Sequence, residues 1–412
     1  MRLRPTQKKV LRWGVPPLLA SVAIAGLWGL RPAKARLPAP FRLEAQAPLL
    51  VGAAKRPLQL PALVTLAGGG LWRAQVPSAG GRLMARAVTI GPWDLVELDL
   101  LEIPLDLFEA VAARLPPGEV LWLVASHTHS GPGGYDRARL PTLVGARRFD
   151  PSVFASLVEA AVGAVAEARH QARPGTFEAG RAAHPELKVG RRGAVPDPTL
   201  AALRITDPQG KPIAVLVSFG AHPTMVGVSD RVLSGDWPAA AEDAIERNGG
   251  VALVMQGIGG DSSWNAEAAP LPAQLDGYGR AIAAAAGAAL ADATRWTATA
   301  PALTLQRGVV DLVWDPSELL GFSLPGLARS TGTVVQRARL GDLEFLCLPG
   351  EVTAAAWRQL PVGTATFPLT LCGDELSYIE AEGLPRGAGE RFVLFPQAVS
   401  ALARALTELR PR

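Results

Sequence analysis

The stretch that most restricts the fold is an apolar run, Val120 to Ala125, that stops at Ser126-His127-Thr128-His129-Ser130-Gly131-Pro132-Gly133-Gly134-Tyr135. Six apolar residues in a row, bounded by turn formers, read as a strand buried on both faces, the kind found in sheets covered by helices. A Gly/Pro-rich loop directly after such a strand brings both imidazoles to its carboxyl end, where α/β proteins keep their binding sites. Two of the five histidines of the chain stand there.

The pattern recurs. Ile213 to Phe219 is another nearly continuous apolar run and ends in Gly220-Ala221-His222-Pro223-Thr224. Val251 to Met255 ends in Gln256-Gly257-Ile258-Gly259-Gly260-Asp261-Ser262-Ser263-Trp264-Asn265. Leu343 to Leu348 ends in Pro349-Gly350-Glu351, and Pro368 to Cys372 leads through Gly373-Asp374-Glu375 to Tyr378. Earlier in the chain, Arg86 to Leu101 reads as a strand pair broken at Gly91-Pro92, and strands are also expected around Ala302 to Trp314. Helical periodicity fills the intervals: Leu105 to Leu115, Phe154 to Arg173, about Ser234 to Arg247, Ala273 to Ala293, Val352 to Leu360 and Pro396 to Leu409. The second of these has a single apolar stripe at 154, 157, 158, 161, 162 and 165, and the third closes on Asn248-Gly249-Gly250. The expected fold class is α/β, with mixed β-sheets flanked by helices and an active site at the carboxyl ends of the strands. Residues 49–412 read as a single catalytic domain, and 49% hydrophobic content over a chain of 412 residues is enough for its core. The apolar stretch Pro316 to Leu327 reads as an ordinary buried connection.

The N-terminus has its own chemistry. Residues 1–36 carry eight Lys/Arg and no acid, with an apolar run from Trp13 to Leu30 followed by Arg31-Pro32-Ala33-Lys34-Ala35. This is an export signal, either retained as a membrane anchor with its basic end in the cytoplasm or cleaved after the Ala-x-Ala pattern. The remainder is expected outside the cytoplasmic membrane. Residues 37–48, rich in Pro and Ala, read as a linker. The formal charge of +4 belongs to that N-terminus, because the rest of the chain has 33 basic against 37 acidic residues. Nothing there suits a nucleic acid, and no protein partner is expected. Cys347 and Cys372 lie in apolar strand-like runs, where a disulfide and two buried thiols are equally natural.

Taken singly, a histidine at a strand end is an ordinary structural residue and Gly-Asp-Ser an ordinary turn. Ser263 does not stand in a Gly-x-Ser-x-Gly elbow. His170, near a helix end, suits the helix dipole, and His184 falls in irregular sequence without an assigned role. The joint occurrence of polar residues at five strand ends is what points to a site. Alternate residues of a strand share a face, so His127 and His129 can point the same way. Two neutral imidazoles and a carboxylate suffice as the inner ligands of a catalytic zinc that keeps one position open.

With these residues the chain resembles the neutral (non-lysosomal) ceramidase family, zinc amidases that cleave the fatty-acyl amide of ceramide. The match runs from about Val51 to Phe395. Its most specific part is His127-Thr128-His129-Ser130-Gly131-Pro132-Gly133-Gly134-Tyr135, supported by Ala221-His222-Pro223-Thr224, Gly260-Asp261-Ser262-Ser263-Trp264-Asn265, Pro349-Gly350-Glu351-Val352-Thr353 and Tyr378-Ile379. By motif, the resemblance implies that His127, His222, Glu351 and Tyr378 bind zinc. It further implies that His129 handles a proton beside them, that Ser263 is the family's essential serine, and that Arg191, or in second place Arg192, is its active-site arginine. The implied substrate is a lipid amide, and the N-terminal segment would hold the chain at a membrane.

The chain also departs from the family. Trp264 replaces the proline beside the key serine, Gly190 precedes the arginine where asparagine is usual, and Phe392 stands nearest to a second tyrosine that can donate to the oxyanion. The match covers the catalytic part alone, with no counterpart of the family's C-terminal immunoglobulin-like domain. Two other readings follow from these departures: a zinc esterase or amidase on a non-sphingolipid substrate, and a catalytically weak envelope protein that binds lipid in the same pocket.

Overall fold

The computed structural model describes residues 37–410, leaving out 47, 68–74, 138–148, 227–229, 269–273, 292–295, 315–328, 364, 385–388, 391, 392 and 394. The export segment, the 316–327 connection and Phe392 therefore lie outside the described residues. Six α-helices follow one another along the described chain: α1 (Leu105–Ala112), α2 (Pro151–His170), α3 (Asp236–Glu246), α4 (Gln274–Ala291), α5 (Ala354–Trp357) and α6 (Ala398–Glu408).

Between them run three five-stranded sheets, each with one parallel pair at an edge. The first sheet has the order Val120–Ala125, Trp93–Leu98, Met84–Ile90, Leu50–Pro57, Arg173–Pro174, and its first two strands are parallel. The second runs Val251–Met255, Pro212–Ser218, Thr199–Thr206, Thr176–Ala183, Trp296–Ala298, again with the first two parallel. The third runs Phe41–Ala45, Leu303–Trp314, Arg329–Leu340, Leu343–Cys347, Thr366–Leu369, and here the last two are parallel. A parallel pair needs a long crossover, and α1, α3 and α5 lie in the three connections. The α/β class expected from the sequence is the one observed.

Strand parity decides what each face meets. In the first sheet Trp93, Leu95, Trp122 and Val124 face a core shared with Phe177, Leu203, Leu216 and Leu253 of the second sheet and Phe345 and Phe367 of the third. Their alternates Val96, Leu98, Leu121 and Leu123 meet α1 and α2. Val217 and Val254 likewise turn outward onto α3 and α4, and Leu346 onto α5 and α6. Each sheet thus puts one face into a common centre and covers the other with its own helices. Trp93 lies edge-on to Trp122 at 4.9 Å and to Phe345 at 5.2 Å between ring centroids, which ties the first sheet to the third.

Three expectations are corrected. Residues 37–48 are not wholly a linker, because Phe41–Ala45 is the edge strand beside Leu303–Trp314. The alternation Phe41, Leu43, Ala45 against Arg42 and Glu44 is a half-buried strand pattern that the flanking prolines obscure. Helix α2 begins at Pro151, ahead of Phe154, because the Asp150 carboxylate accepts from the Ser152 and Val153 amides with proline at the first helical position. The helix expected over Val352 to Leu360 shrinks to α5, because Thr353 caps it by accepting from Ala356 N at 3.1 Å. Glu351–Val352 stays extended and pairs in parallel with Tyr378–Ile379, with Glu351 opposite Tyr378.

Cys347 and Cys372 form a disulfide across 25 residues of sequence. It joins the end of one strand of the third sheet to a segment that also bridges Val124 of the first. Replacing both cysteines by serine is expected to lower unfolding free energy by about 3.5 kcal/mol, the chain-entropy value for a loop of that length, as read from urea midpoints at unchanged slope.

Candidate metal centre

The parallel pairs bring their carboxyl ends together, and the connections there are hydrogen-bonded across sheets. Ala125 N donates to Leu371 O, Thr370 N to Gln256 O, and the Gln256 side-chain amide to Ser126 O at 3.0 Å. The Ser218 hydroxyl donates to Pro368 O at 2.6 Å. All five polar strand ends therefore open into one place.

His127 leaves its strand with φ 68°, in the left-handed region that a side chain with Cβ rarely adopts. Ser377, next to Tyr378, has φ 63°. Such strain persists only where surrounding contacts hold it, and here it flanks the site. The turned backbone lets His127 Nδ1 donate to Leu101 O at 2.8 Å. His222 Nδ1 is 2.9 Å from Ser262 O, while its own amide donates to the same oxygen at 3.0 Å. With each Nδ1 committed to a backbone carbonyl, each Nε2 carries the lone pair and faces inward, the arrangement that orients metal-binding histidines.

What the Nε2 atoms face is the Glu351 carboxylate. One oxygen, Oε2, lies 2.9 Å from His222 Nε2 and 3.3 Å from His127 Nε2. Tyr378 brings its hydroxyl to 3.1 Å from His222 Nε2. Arg191 completes the ring, with Nη1 2.7 Å from His222 Nε2 and 3.0 Å from the Tyr378 oxygen, and it also donates to Gly260 O at 3.3 Å. His129 joins the two other histidines. Its ring centroid is 5.1 Å from that of His127 and 6.0 Å from that of His222, and the three imidazoles offer ligand atoms within 4.8 Å of one another. The geometry thus admits His129 to the ligand group as well as to the neighbouring position expected from the sequence.

The electrostatics are those of a cation site. Burial would push the Glu351 carboxyl up, but the His127 and His222 imidazoles hold it well below the usual range. Burial would lower the His127 imidazole, and Glu351 holds it above its ordinary value instead. Tyr378 is raised by burial and by Glu351, against the pull of Arg191, so its phenol keeps its proton. His127 Nε2 and Glu351 Oε2 are buried without completing a hydrogen bond of ordinary geometry. Two inward Nε2 atoms, an ionised carboxylate and a phenol, with buried donor atoms left over, fit a divalent transition metal. His127 and His222 are each 5% exposed, while His129, Ser263 and Tyr378 are part-exposed.

Ser263 pairs with Val189 in a two-stranded ribbon, Ser262–Trp264 against Lys188–Gly190, and bridges to His222. Its neighbour Ser262 is buried with its hydroxyl on Gly220 O, whereas Ser263 is part-exposed. The ribbon also distinguishes the two arginines. Arg191 N donates to Asp261 O and its side chain turns into the site, whereas Arg192, at φ 51°, turns outward to Glu390 Oε2 at 3.2 Å and Gly389 O. Trp264 lies edge-on to Tyr278 at 6.3 Å.

One contributor, Glu390, and one contact, that of Asp261, were not foreseen. Glu390 lies 3.7 Å from Arg191 Nε as well as beside Arg192, and no motif around it marks this role. Asp261 accepts from Ala354 N at 3.0 Å, tying the serine loop to the start of α5 just after Glu351. The Gly-Asp-Ser turn was visible in the sequence, but its partner was not.

Among solved structures, the chain matches that of neutral ceramidase from Pseudomonas aeruginosa with a TM-score of 0.73 at 19% identity, over 89% of this chain and 76% of that one. It also matches a ceramidase complexed with C2, with a TM-score of 0.72 at 18% identity, over 88% and 76%. At this identity the likeness establishes a shared fold, that of neutral ceramidase. No family model matches the sequence, and no curated protein matches it.

Proposed function

We propose, on the neutral-ceramidase fold and the histidine cluster within it, that this chain is a zinc-dependent amidohydrolase that cleaves the N-acyl amide of ceramide or a related lipid amide. The observation that carries the reading is the convergence of His127 Nε2 and His222 Nε2 on one Glu351 oxygen, at the carboxyl ends of strands from different sheets. His127, His222, Glu351 and Tyr378 would hold the ion. When bound, zinc acts as a Lewis acid and lowers the pKa of a water at its open position to about 7. Leu101 O and Ser262 O keep the two imidazoles in the tautomer that offers Nε2. Arg191 donates to the Tyr378 oxygen and keeps positive charge beside it. His129, part-exposed, carries a proton toward the leaving amine, and Ser263 binds a substrate hydroxyl or assists attack.

The expected result is hydrolysis of N-acylsphingosine that stops on chelation and returns with zinc and not with magnesium. Faster turnover of simple acyl esters would move the substrate to a non-sphingolipid compound, which Trp264 beside Ser263 makes a specific alternative. A metal-free, inert chain that binds lipid would overturn the hydrolase reading. His129→Ala should keep its zinc while losing about 100- to 10,000-fold in kcat. Loss of the metal in that variant would assign His129 as a ligand.

The reading also puts the catalytic part outside the cytoplasmic membrane, anchored by residues 1–36 or released if they are cleaved. The basic and apolar N-terminal pattern and the Cys347–Cys372 bridge support export. An intact mass for chain recovered from membrane and soluble fractions decides between anchor and cleaved signal.

A further inference from the structure

In the ribbon beside the site, burial runs against polarity. Lys188 is 3% exposed, while the next residue, Val189, is 45% exposed. A lysine is rarely buried unless it is paired. Here the ammonium lies over the Phe219 ring, 4.2 Å from its centroid, and completes no hydrogen bond. The ring face attracts a cation, yet the ammonium protons remain unmatched. Burial pushes the Lys188 pKa down to about 8, against the pull of Asp197 and Asp261, so the side chain stays mostly charged at neutral pH.

Those two carboxylates differ in what else they meet. Asp197 Oδ1 accepts from Thr199 N at 2.8 Å, and Asp197 also acts on Arg181. Asp261, 5% exposed, accepts from Ala354 N through Oδ2 at 3.0 Å and keeps Oδ1 buried without a hydrogen bond. Burial raises the Asp261 carboxyl and Glu380 adds to that, while the Ala354 amide and the Lys188 charge oppose it. Between buried groups such a charge acts beyond contact distance, because little water screens it. Asp261 also stands where parts of the site join. Its backbone oxygen accepts from Arg191 N at 2.8 Å, the adjoining Gly260 N donates to Val352 O at 3.0 Å, and Ser262 O accepts from His222 N at 3.0 Å.

We propose that Lys188 is a positioning residue: its buried positive charge holds the Asp261 carboxylate, and Asp261 fixes the loop that carries Ser263 against the segment that carries Glu351. Lys188 acts through Asp261 and not on the substrate. A loop displaced by about 1 Å can cost roughly 100-fold in rate, so a charge behind the site is enough to matter. This inference rests on the proposed hydrolase activity and extends it to a residue outside the family motifs.

The test compares Lys188→Met, Lys188→Arg, Asp261→Asn and the double variant Lys188→Met with Asp261→Asn, in the full zinc-loaded chain with N-acylsphingosine. Methionine has nearly the same length without the charge, and an apolar side chain suits a buried position. Lys188→Met should therefore keep its metal and a Tm within about 3 °C of wild type, yet lose about 10-fold or more in kcat with KM changed less than about threefold. Lys188→Arg, which keeps the charge, should retain at least about half the rate. The double variant should be no slower than Asp261→Asn alone, because the two residues act as one unit. A Lys188→Met chain with wild-type kcat, losses that multiply in the double variant, or a folded Lys188→Arg as slow as Lys188→Met would overturn the proposal. Should Lys188→Met fail to fold, Lys188→Arg against Asp261→Asn decides. Amide hydrogen exchange over residues 259–265 reads the same coupling without turnover: an inert wild type sinks the hydrolase reading, while exchange that is unchanged in Lys188→Met sinks the role of Lys188.

Discussion

His222→Ala is expected to leave the purified chain with less than about a tenth of an equivalent of transition metal and to cut amide hydrolysis by roughly 1000-fold or more. Its imidazole touches both the backbone that orients it and the side chains around it. Its Nδ1 meets Ser262 O, and its Nε2 faces Glu351 at 2.9 Å, Tyr378 at 3.1 Å and Arg191 at 2.7 Å. Removing the ring takes away one of the proposed ligand atoms and leaves the buried Glu351 carboxylate with one imidazole in place of two. His184 is the control: it contacts Glu186 at 2.8 Å away from the site, so His184→Ala should change neither metal nor rate. A metal on the proposed ligand set would compete with a proton for His127, whose imidazole Glu351 holds above its ordinary pKa. Metal uptake by wild type should therefore weaken as pH falls, as followed by equilibrium dialysis. A His222→Ala chain that keeps full metal and full rate would place the reaction elsewhere.

Gly220→Ala is expected to destabilise the fold by about 3 kcal/mol and to disable the site, although the change adds a single methyl group. A Cβ at Gly220 would lie 2.3 Å from the carbonyl carbon of Ile258, 2.4 Å from its oxygen and 2.5 Å from Gly259 N. These are backbone atoms and cannot rotate aside. The two strand ends would have to part, and they carry His222 on one side and Gly260 to Ser263 on the other. Gly287 in α4 is the contrast, with nothing within 4 Å of its added Cβ. Gly287→Ala should stabilise the chain by about 1 kcal/mol through helix propensity. Urea midpoints for both variants, with metal content for Gly220→Ala, separate a site effect from a general loss of stability.

Local order was legible because it is written in short-range pattern. Val120–Ala125 and Val251–Met255 have the bounds read from their apolar runs, since a strand buried on both faces has no polar residue until it ends. Boundaries moved where a side chain caps a backbone group. Asp150 extended α2 toward its N-terminus, and Thr353 held Val352 out of the helix, so that Glu351–Val352 pairs with Tyr378–Ile379. The strand Phe41–Ala45 was obscured because its five residues lie among prolines, and its stability comes from a partner more than 250 residues away.

Taken alone, the sequence determined the α/β class, the strand ends that carry His127, His129, His222, Glu351 and Tyr378, and a likeness to neutral ceramidases. Each of these depends on residues within about one element of each other. Tertiary structure decided the rest. It paired Cys347 with Cys372, turned Arg191 inward and Arg192 outward, brought Glu390 to the arginines, and gathered Glu97, Asp99 and Glu242 around Arg86. Those outcomes depend on how three sheets meet across one core, and the partners are separated by up to about 200 residues. No local pattern encodes such a meeting, because the burial that enforces it exists only once the sheets have closed on one another.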